Sequence, residues 1–400
     1  MTDTELLFNP FLPDFTEDPY PHYQRMRDQD PVHEHPLGFW LVSRYDDVTA
    51  LLRAKLSVET RNLAGGMIAE QYEQLAPGSA LTLSMLDRDP PDHTRLRALV
   101  TKVFTPKAIA ALEPMVTELV DRSLDRIADG GQVDLIDELA FPLPFAVISE
   151  MLGTPPADHA RLRELSGTLV RSLEVQTDPA VIQAIAEAEA ELTEMMRDII
   201  SWKRDNPADD LLTALIAAEH EGDRLTEDEL VAQVLLLYVA GHETTVNLIG
   251  NGAIALLRNP DQLALLRANP DLAANAVEEL LRYDSPVQQS RRITTAPHTI
   301  GGREIPAGTF VIAGLASANR DERHFGPDAG ELRIDREDAR AQVSFGAGPH
   351  HCLGATLARL EGRLALGRLV TRFPDLSFDG DVEWNGRLNL RGAAKLPVAV

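Results

Sequence analysis

Residues 345–355 constrain this chain more than any other stretch, because they hold Cys352, the only cysteine in 400 residues. Two glycines precede this cysteine and one follows it, so the backbone can adopt positive φ there and pass close to a large group. The next residues are apolar at helical spacing. Cys352 is therefore predicted to lie where a tight loop enters a helix, whose free N–H groups stabilise a thiolate.

A lone cysteine in a glycine-rich loop has several interpretations. Such a residue is most often a small buried apolar side chain. With the neighbouring His350 and His351 it could belong to a zinc cluster, although one thiolate alone cannot complete a tetrahedral site. It could also be the single axial ligand of a flat cofactor such as haem. Local chemistry alone leaves all three open.

The composition of the whole chain narrows the class of protein. A net charge of −24 argues against a nucleic-acid partner. One cysteine rules out an intrachain disulfide and fits a reducing compartment. The first residues have no basic region and no long apolar run, so we expect a cytoplasmic protein that does not bind a membrane. No linker or repeat divides the chain, which predicts a single domain over residues 1–400.

A second unusual feature is a helical pattern of more than thirty residues in the middle of the chain. Thr226 and Glu229 form a capping-box pattern at its start, and its interior is apolar almost all round, which predicts a buried helix. Gly241, Glu243 and Thr244 then interrupt the apolar run. A carboxylate is costly to bury, and a threonine hydroxyl can bend a helix by bonding the i−4 carbonyl. Such violations of local rules indicate a functional site.

Together these motifs resemble those of the cytochrome P450 family. The family's haem-binding loop, phenylalanine-glycine-x-glycine-x-(histidine or arginine)-x-cysteine-x-glycine, is matched at Phe345, Gly346, Gly348, His350, Cys352 and Gly354. Its alanine-glycine-x-acid-threonine pattern is matched at Ala240, Gly241, Glu243 and Thr244. The resemblance covers essentially the whole chain. It implies the cytochrome P450 fold, mainly α with small β-sheets (α+β), with haem between a long distal helix and the helix that follows the cysteine.

The resemblance also implies how the cofactor, haem b (iron protoporphyrin IX), is held. Cys352 is the implied metal ligand, through its thiolate, and His350 the implied partner of a haem propionate. His93 and Arg97, within a D-P-P-x-H-x-x-x-R pattern, and Arg292, at the start of a predicted strand, are further implied propionate contacts. The remaining implied cofactor contacts are Phe345, Gly346, Gly354, Ala240 and Gly241.

Catalytic roles are implied for two residues of the long helix. Thr244 is expected to donate a hydrogen bond during oxygen activation, and Glu243 is expected to relay protons from solvent. Small residues beside them, Ala240 and Gly241, leave room for O₂. His242 is expected to be a surface or packing residue.

A third motif, glutamate-x-x-arginine, is matched at Glu279 and Arg282. At this spacing a surface ion pair is the commoner interpretation. In the family the pair instead belongs to a buried structural network, whose third member is an arginine in the loop before the cysteine. Glu331 occupies that position here, which departs from the family pattern. Arg333 or Arg320 is expected to substitute.

The implied activity is that of a haem-thiolate monooxygenase, which inserts one atom of O₂ into a small, largely apolar organic substrate by hydroxylation or epoxidation. Electrons would come from a separate ferredoxin and an NAD(P)H-dependent ferredoxin reductase, and the chain is expected to be a monomer. Two alternatives are a peroxide-driven haem-thiolate enzyme and a non-catalytic haem-binding sensor or carrier. The intact Glu243 and Thr244 argue against both.

Two surfaces are predicted for these partners. Basic residues are dense after the cysteine and form a candidate docking patch for the electron donor: Arg359, Arg363, Arg368 and Arg372. Candidates for the lining of the substrate pocket are Leu236, Val239, Ala240, Val287, Gln288, Gln289 and Leu390.

Elsewhere, periodicity predicts successive helices over residues 106–235, of which 158–204 correspond by position to the helices that cover the family's substrate channel. Residues 57–90 are predicted to be an irregular loop near the substrate mouth. Residues 299–314 are predicted to be a hairpin whose turn is I-P-A-G.

Overall fold

The computed structural model describes residues 7–12, 15–75, 79–155, 159–174, 178–220 and 222–400. Helices predominate in this part of the chain. They are α1 (Tyr20–Gln29), α2 (Tyr45–Arg53), α3 (Met67–Leu75), α4 (Asp92–Val103), α5 (Pro106–Ala111), α6 (Glu113–Gly130), α7 (Pro142–Leu152), α8 (His159–Leu169), α9 (Pro179–Asp205), α10 (Leu211–Ala217), α11 (Glu227–Arg258), α12 (Pro260–Ala268), α13 (Ala273–Tyr283), α14 (Leu315–Ala318), α15 (Glu322–Phe325) and α16 (Ala355–Arg372). None of the helices among the described residues is long and apolar enough to cross a membrane.

The strands are short and form small sheets. They are β1 (Val32–Glu34), β2 (Phe39–Val42), β3 (Gln132–Asp134), β4 (Glu219–His220), β5 (Asp223–Arg224), β6 (Gln289–Ile293), β7 (His298–Ile300), β8 (Arg303–Ile305), β9 (Phe310–Gly314), β10 (Ser377–Phe378), β11 (Glu383–Trp384), β12 (Ala393–Lys395) and β13 (Pro397–Ala399). The largest sheet has the order β1-β2-β9-β6, in which only the β2–β9 pair is parallel. This architecture confirms the predicted mainly α fold with small sheets.

Two local predictions were wrong. The segment 57–90 is not wholly irregular, because α3 lies within it. The hairpin formed by β7 and β8 turns at Gly301 and Gly302, with φ of 53° and 80°, and not at residues 305–308. Two consecutive residues with positive φ are what a two-residue hairpin turn requires, and a glycine pair supplies them without strain. Residues 306–309 instead lead into β9, which pairs with β2 and β6.

The long helix α11 runs through the core, as predicted. It spans 32 residues and begins with the complete capping box of Thr226 and Glu229. Its side chains are buried along almost the whole length, where α7, α9, α13 and α16 pack against it. Because it is enclosed on all sides, any polar group in its middle must find a partner within the protein or face a cavity.

The C-terminal segment is fastened to α11 by two buried amides. The Asn247 side chain donates to the carbonyl of Leu390 at 3.2 Å, and the Asn251 side chain donates to that of Arg391 at 3.0 Å. Gly392 is required beside them, since a Cβ there would lie 2.0 Å from the Asn247 side-chain oxygen. The segment before β12 is therefore held against the middle of α11, close to the residues that interrupt its apolar run.

Candidate active site

A cavity of about 1270 Å³ lies between α11 and the cysteine loop. Ala240, Gly241 and Thr244 contribute to its α11 wall, and Cys352 contributes to another wall. The structure thus brings the two interrupting motifs of the sequence to one enclosed space. A cavity of this size exceeds what a single small ligand needs, so it can hold a large flat cofactor together with a substrate.

The cysteine loop has the tight geometry that its glycines predict. Gly346 and Gly348 have φ of 68° and 72°, and a Cβ on Gly348 would lie 2.6 Å from a backbone carbonyl of α2. The Cys352 N–H donates to the Phe345 carbonyl at 2.9 Å, which closes the loop. Gly354 is the N-cap of α16. The thiol is therefore placed immediately before a helix N-terminus.

Cys352 is exposed to the cavity that it lines, while the surrounding protein still desolvates its thiol. Burial raises its pKa, while hydrogen bonds from the N–H groups of Gly354 and Ala355 and the charges of Arg97 and Arg359 act in the opposite direction. The helix start does favour the thiolate, as predicted, but burial outweighs it in the protein alone. A cation at the thiol would favour the thiolate further, so the site suits a metal-bound cysteine.

Three of the basic side chains that border the same cavity form no ion pair with a carboxylate among the described residues. Arg97, Arg292 and His350 all line it. Burial lowers the pKa of Arg292 to about 10, and burial together with His93, Arg292 and Arg97 lowers that of His350 to about 3. Among the described residues, neither arginine forms an ion pair with a carboxylate. Buried cations without counter-charges are costly, so this wall fits the carboxylates of an anionic ligand.

His93 lies behind this wall and does not line the cavity. Its ring centroid is 4.1 Å from that of His350, and its buried Nε2 has no hydrogen-bond partner among the described residues. The carbonyl of His351 accepts a hydrogen bond from Arg97 at 2.7 Å. No group of three or more His, Cys, Asp or Glu side chains is arranged to hold a metal ion in the described ranges, which counts against the zinc cluster.

The two threonines of α11 bond backward along the helix. Thr244 Oγ1 donates to the Ala240 carbonyl at 2.8 Å, and Thr245 Oγ1 donates to that of Gly241 at 3.1 Å. Both residues line the cavity. This is the i−4 bonding that the sequence suggested, and it satisfies the hydroxyl groups while keeping them at the cavity wall.

Glu243 is buried but does not line the cavity. Its Oε1 accepts a hydrogen bond from Arg387 Nη1 at 2.6 Å. Burial raises the pKa of this carboxyl, and the charge of Arg387 opposes that shift. His242 is a packing residue rather than a surface one, since it is buried with its Nε2 3.1 Å from the Phe141 carbonyl.

Comparison with known proteins agrees with this geometry. The family model described as cytochrome P450 matches residues 179–384. Cytochrome P450 107B1 of Saccharopolyspora erythraea is 43% identical over 396 residues, covering 96% of this chain and 95% of that protein. The chain belongs to the cytochrome P450 family. Its members are haem enzymes, and the homologues are monooxygenases, so this P450 is a monooxygenase of the oxidoreductase class.

Two further relatives have informative names. The vitamin D(3) 25-hydroxylase of Pseudonocardia autotrophica is 42% identical, with 96% of this chain and 94% of that protein covered. The crystal structure of the myxobacterial cytochrome P450 CYP267B1 in complex with myristic acid has a TM-score of 0.90 and 36% identity. It covers 98% of each chain. The fold of this P450 is therefore that of solved bacterial relatives.

The predicted network around Glu279 and Arg282 is present and buried, but its third member differs from both predicted candidates. Arg282 donates to the two carboxylate oxygens of Glu279, each at 2.7 Å. The third side chain is Arg336, whose Nε lies 3.2 Å from Glu279 Oε1. Arg333 contributes only its backbone N–H, at 2.9 Å. Arg320 instead donates to the backbone carbonyls of residues 283 and 330.

Position 331 explains why Arg336 was missed. Glu331 is exposed, and only its backbone carbonyl joins the network, by accepting from Arg282 at 2.9 Å. The chain then turns back, so that a residue five positions later reaches Glu279. The sequence signal for Arg336 is an arginine five positions after the family's usual place, in a loop whose length can vary.

The substrate-pocket candidates divide into two groups. Five of them line the cavity, namely Leu236, Ala240, Val287, Gln289 and Leu390. The other two do not: Val239 packs in the core, and the Gln288 side chain donates to the Ser285 carbonyl at 2.7 Å. Lining residues that sequence reasoning missed include Phe11, Met67, Ile68, Met85, Glu174 and Leu388. These come from loops and from α3, whose position no local pattern indicates.

The arginines that follow the cysteine carry little unbalanced charge. Each is paired with an acidic residue, in the pairs Arg359–Glu278, Arg363–Glu113, Arg368–Asp121 and Arg372–Asp125. The first of these also places its guanidinium 4.5 Å from the centroid of the Phe345 ring. The docking patch stays a prediction, and its electrostatic attraction for an acidic partner is weakened by the carboxylates beside these arginines.

Proposed function

We propose that this P450 inserts one atom of O₂ into a largely apolar organic substrate, by hydroxylation or epoxidation, with haem b as its cofactor. One observation supports this most directly: Cys352, Thr244 and the carboxylate-free arginines all border a single cavity. If Cys352 were only a buried apolar residue, there would be no reason for it to share a cavity with the Thr244 hydroxyl and with arginines that have no carboxylate partner. In the proposal the second oxygen atom leaves as water, which consumes two electrons and two protons.

The residues around the cavity fit haem b as a set. Cys352 supplies the thiolate ligand from the start of α16, while Ala240 and Gly241 keep α11 free of large side chains near it. Arg97 and Arg292 take the two propionates, whose negative charges balance the half-buried guanidinium of Arg97 and the buried one of Arg292. When bound, haem supplies the iron at which O₂ is reduced.

Two residues of α11 carry the proton chemistry in this proposal. The Thr244 hydroxyl, now donating to the Ala240 carbonyl, can instead donate into the cavity by rotating about χ1. Glu243 gains a proton on the side away from the cavity and passes it toward Thr244. Burial favours the protonated form of Glu243, which suits a group that must hold a proton before delivering it.

The substrate class follows from the walls of the cavity. Most of its lining is aliphatic or aromatic, including Leu236, Val287 and Leu390. One relative is named as a vitamin D(3) hydroxylase, and another was crystallised with myristic acid. We infer a medium-sized lipophilic substrate, such as a lipid, a terpenoid or a polyketide-like molecule. Ligands that displace water from the iron shift the Soret band. A spectral screen of these three classes of molecule therefore identifies the class to which the substrate belongs.

The electron donor is proposed to be a ferredoxin with its NAD(P)H-dependent reductase. The matched family motifs extend from His93 to Cys352, and we propose that residues 1–400 form one catalytic domain to which the donor binds. The presence of both Glu243 and Thr244 favours the O₂-dependent reaction over a peroxide-driven one, which does not need a proton relay.

The first test is the substitution Cys352→Ala. We expect the haem-loaded variant to lose the carbon-monoxide band from which the family takes its name, and retention of that band would refute the ligand assignment. The wild-type protein is then supplied with ferredoxin, reductase, NADPH and the spectrally selected ligand. An oxygenated product supports the proposal. Product formed only with hydrogen peroxide would support the peroxide-driven alternative. If no product forms under either condition, the result would support a non-catalytic sensor or carrier.

A further inference from the structure

Residues 387–390, in the segment before β12, make two partly buried polar contacts with different parts of the protein. The first involves Glu174, which follows a 3₁₀ turn over residues 170–173. Its carboxylate accepts hydrogen bonds from the N–H groups of Leu388, Asn389 and Leu390, at 3.1, 3.0 and 2.7 Å. Hydrogen bonds to a carboxylate are roughly twice as strong as those between neutral groups. Three of them hold this turn in one conformation.

The second contact is the ion pair between Arg387 and Glu243 described above. Arg387 is itself fixed in the turn, since its N–H donates to the Asn385 side chain at 3.0 Å. His242, the neighbour of Glu243 in α11, turns away toward the Phe141 carbonyl, and Arg163 lies over the Phe141 ring on that side. Arg387 is therefore the charged group that directly meets the Glu243 carboxylate.

Both contacts are next to the cavity. Glu174, Leu388, Asn389 and Leu390 line it, whereas Glu243 does not. A molecule inside the cavity consequently touches the turn without touching the acid. Adjacent Cα atoms are only about 3.8 Å apart. A displacement of Leu388 is therefore passed to Arg387 through a single peptide link.

We propose that residues 387–390 couple the occupancy of the cavity to the proton affinity of Glu243, with Glu174 and Arg387 as positioning residues. When Glu174 holds the turn, Arg387 stays paired with Glu243 and lowers the proton affinity of its carboxylate. When an occupant displaces the turn, the pair loosens and Glu243 takes up a proton more readily. This inference rests on the proposed role of Glu243 as a proton relay, and it makes proton delivery depend on bound substrate.

The test measures two quantities separately in the haem-loaded ferric protein: the protonation of the Glu243 carboxyl and the opening of the turn at residues 388–390. Infrared spectra follow the protonated carboxyl as the pH is changed, and the signal of Glu243 is identified by its loss in Glu243→Gln. Hydrogen exchange with mass spectrometry follows the amides of residues 388–390. Neither measurement requires turnover. A failure of this coupling is therefore distinguishable from a failure of the proposed monooxygenase activity.

Arg387→Met removes the ion pair directly and calibrates the experiment. We expect the proton affinity of Glu243 to rise about tenfold or more, because an opposite charge in contact shifts a carboxyl pKa by about one unit or more. Glu174→Gln acts on the turn, through the hydrogen bonds to residues 388–390 and through the charge that Glu174 places near Arg387. We expect about tenfold faster exchange at residues 388–390, and a rise in the proton affinity of Glu243 in the same direction as for Arg387→Met.

Glu189→Gln is the matched control. Glu189 is a buried glutamate that, like Glu174, accepts a backbone hydrogen bond: it accepts from the Ser79 side chain and the Leu81 N–H, but it does not meet the turn. Its substitution should leave both the Glu243 signal and the exchange of residues 388–390 unchanged. If Glu174→Gln fails to fold, Glu174→Asp retains the charge with a shorter reach and serves in its place.

Coupling between two sites is reciprocal, which gives a second criterion. Glu243→Gln, which leaves the hydrogen bonds of the Glu174 carboxylate in place, should also speed exchange at residues 388–390. The proposal is overturned if Glu174→Gln loosens the turn while the Glu243 titration stays at its wild-type position. It is equally overturned if Arg387→Met does not move that titration, or if Glu243→Gln leaves the exchange of the turn unchanged.

Discussion

Replacing Arg336 by methionine tests the buried network that the sequence predicted only in part. The Arg336 side chain is 4% exposed, and its contact Glu279 is fully buried. The substitution removes the charge and the hydrogen bonds to Glu279 Oε1, to the Phe325 carbonyl and to Asp328 Oδ1, each at 3.2 Å, and to the Asp328 carbonyl at 2.9 Å. Methionine keeps an unbranched apolar side chain in the space.

The expected loss in the free energy of unfolding is about 3 kcal/mol. Removing one partner of a buried ion pair costs about 3–5 kcal/mol, since the other charge is left uncompensated. Here Glu279 keeps both hydrogen bonds from Arg282, so its charge remains neutralised and the cost falls at the low end of that range. Most of the loss then comes from carbonyl groups that no longer have a donor.

The matched control is Arg333→Met. The Arg333 side chain is 47% exposed and pairs with Asp328 at the surface, so its loss should cost less than about 1 kcal/mol and should shrink as salt is added. Urea unfolding of the haem-loaded proteins, followed by circular dichroism, measures both. An equal or larger loss for Arg333→Met would refute the assignment of Arg336 as the third member.

Three further predictions follow from the site. Thr244→Ala should lower product formation by roughly tenfold or more and raise peroxide release at unchanged substrate binding. Thr245 makes the same kind of i−4 backbone hydrogen bond, so Thr245→Ala is the control and should change the yields of product and peroxide far less. Equal effects of the two substitutions would contradict the role given to Thr244. Arg292→Met should speed the transfer of haem to apomyoglobin by about tenfold, because the proposed charge-assisted contact with a propionate is lost. An unchanged transfer rate would exclude that contact. Burial raises the pKa of Glu361 to about 8 from an ordinary 4.5, so the folded state keeps a proton that the unfolded state loses. The free energy of unfolding should therefore fall as the pH rises from 4.5 to 8, by as much as about 5 kcal/mol. Urea unfolding at pH 5 and at pH 8 measures this fall. Glu361→Gln should abolish most of it.

Residues in local motifs were placed correctly from sequence. The capping box of Thr226 and Glu229, the long helix that follows, and the loop-to-helix junction at Cys352 all appear as predicted. Each is specified within about a dozen residues of chain, by side chains that bond nearby backbone groups or by glycines that permit positive φ. Tertiary contacts do not change such preferences when the local signals agree with one another.

The residues that sequence reasoning missed belong to contacts between distant segments. Arg336 reaches Glu279 across 57 positions, and Arg387 reaches Glu243 across 144. An arginine in a loop looks the same in sequence whether its guanidinium is solvated or buried against a carboxylate. Only the path of the chain between the two residues decides, and that path depends on packing that no local pattern encodes.

The sequence by itself determined the family, the long central helix and the place of the single thiol, because each is encoded by residues close together in the chain. The tertiary structure alone decided that Arg336 completes the buried network, that Val239 and Gln288 face away from the cavity, and that Arg387 holds Glu243. These outcomes depend on which side chains share a low-dielectric interior, where an unpaired charge is costly and a partner from any part of the chain can neutralise it.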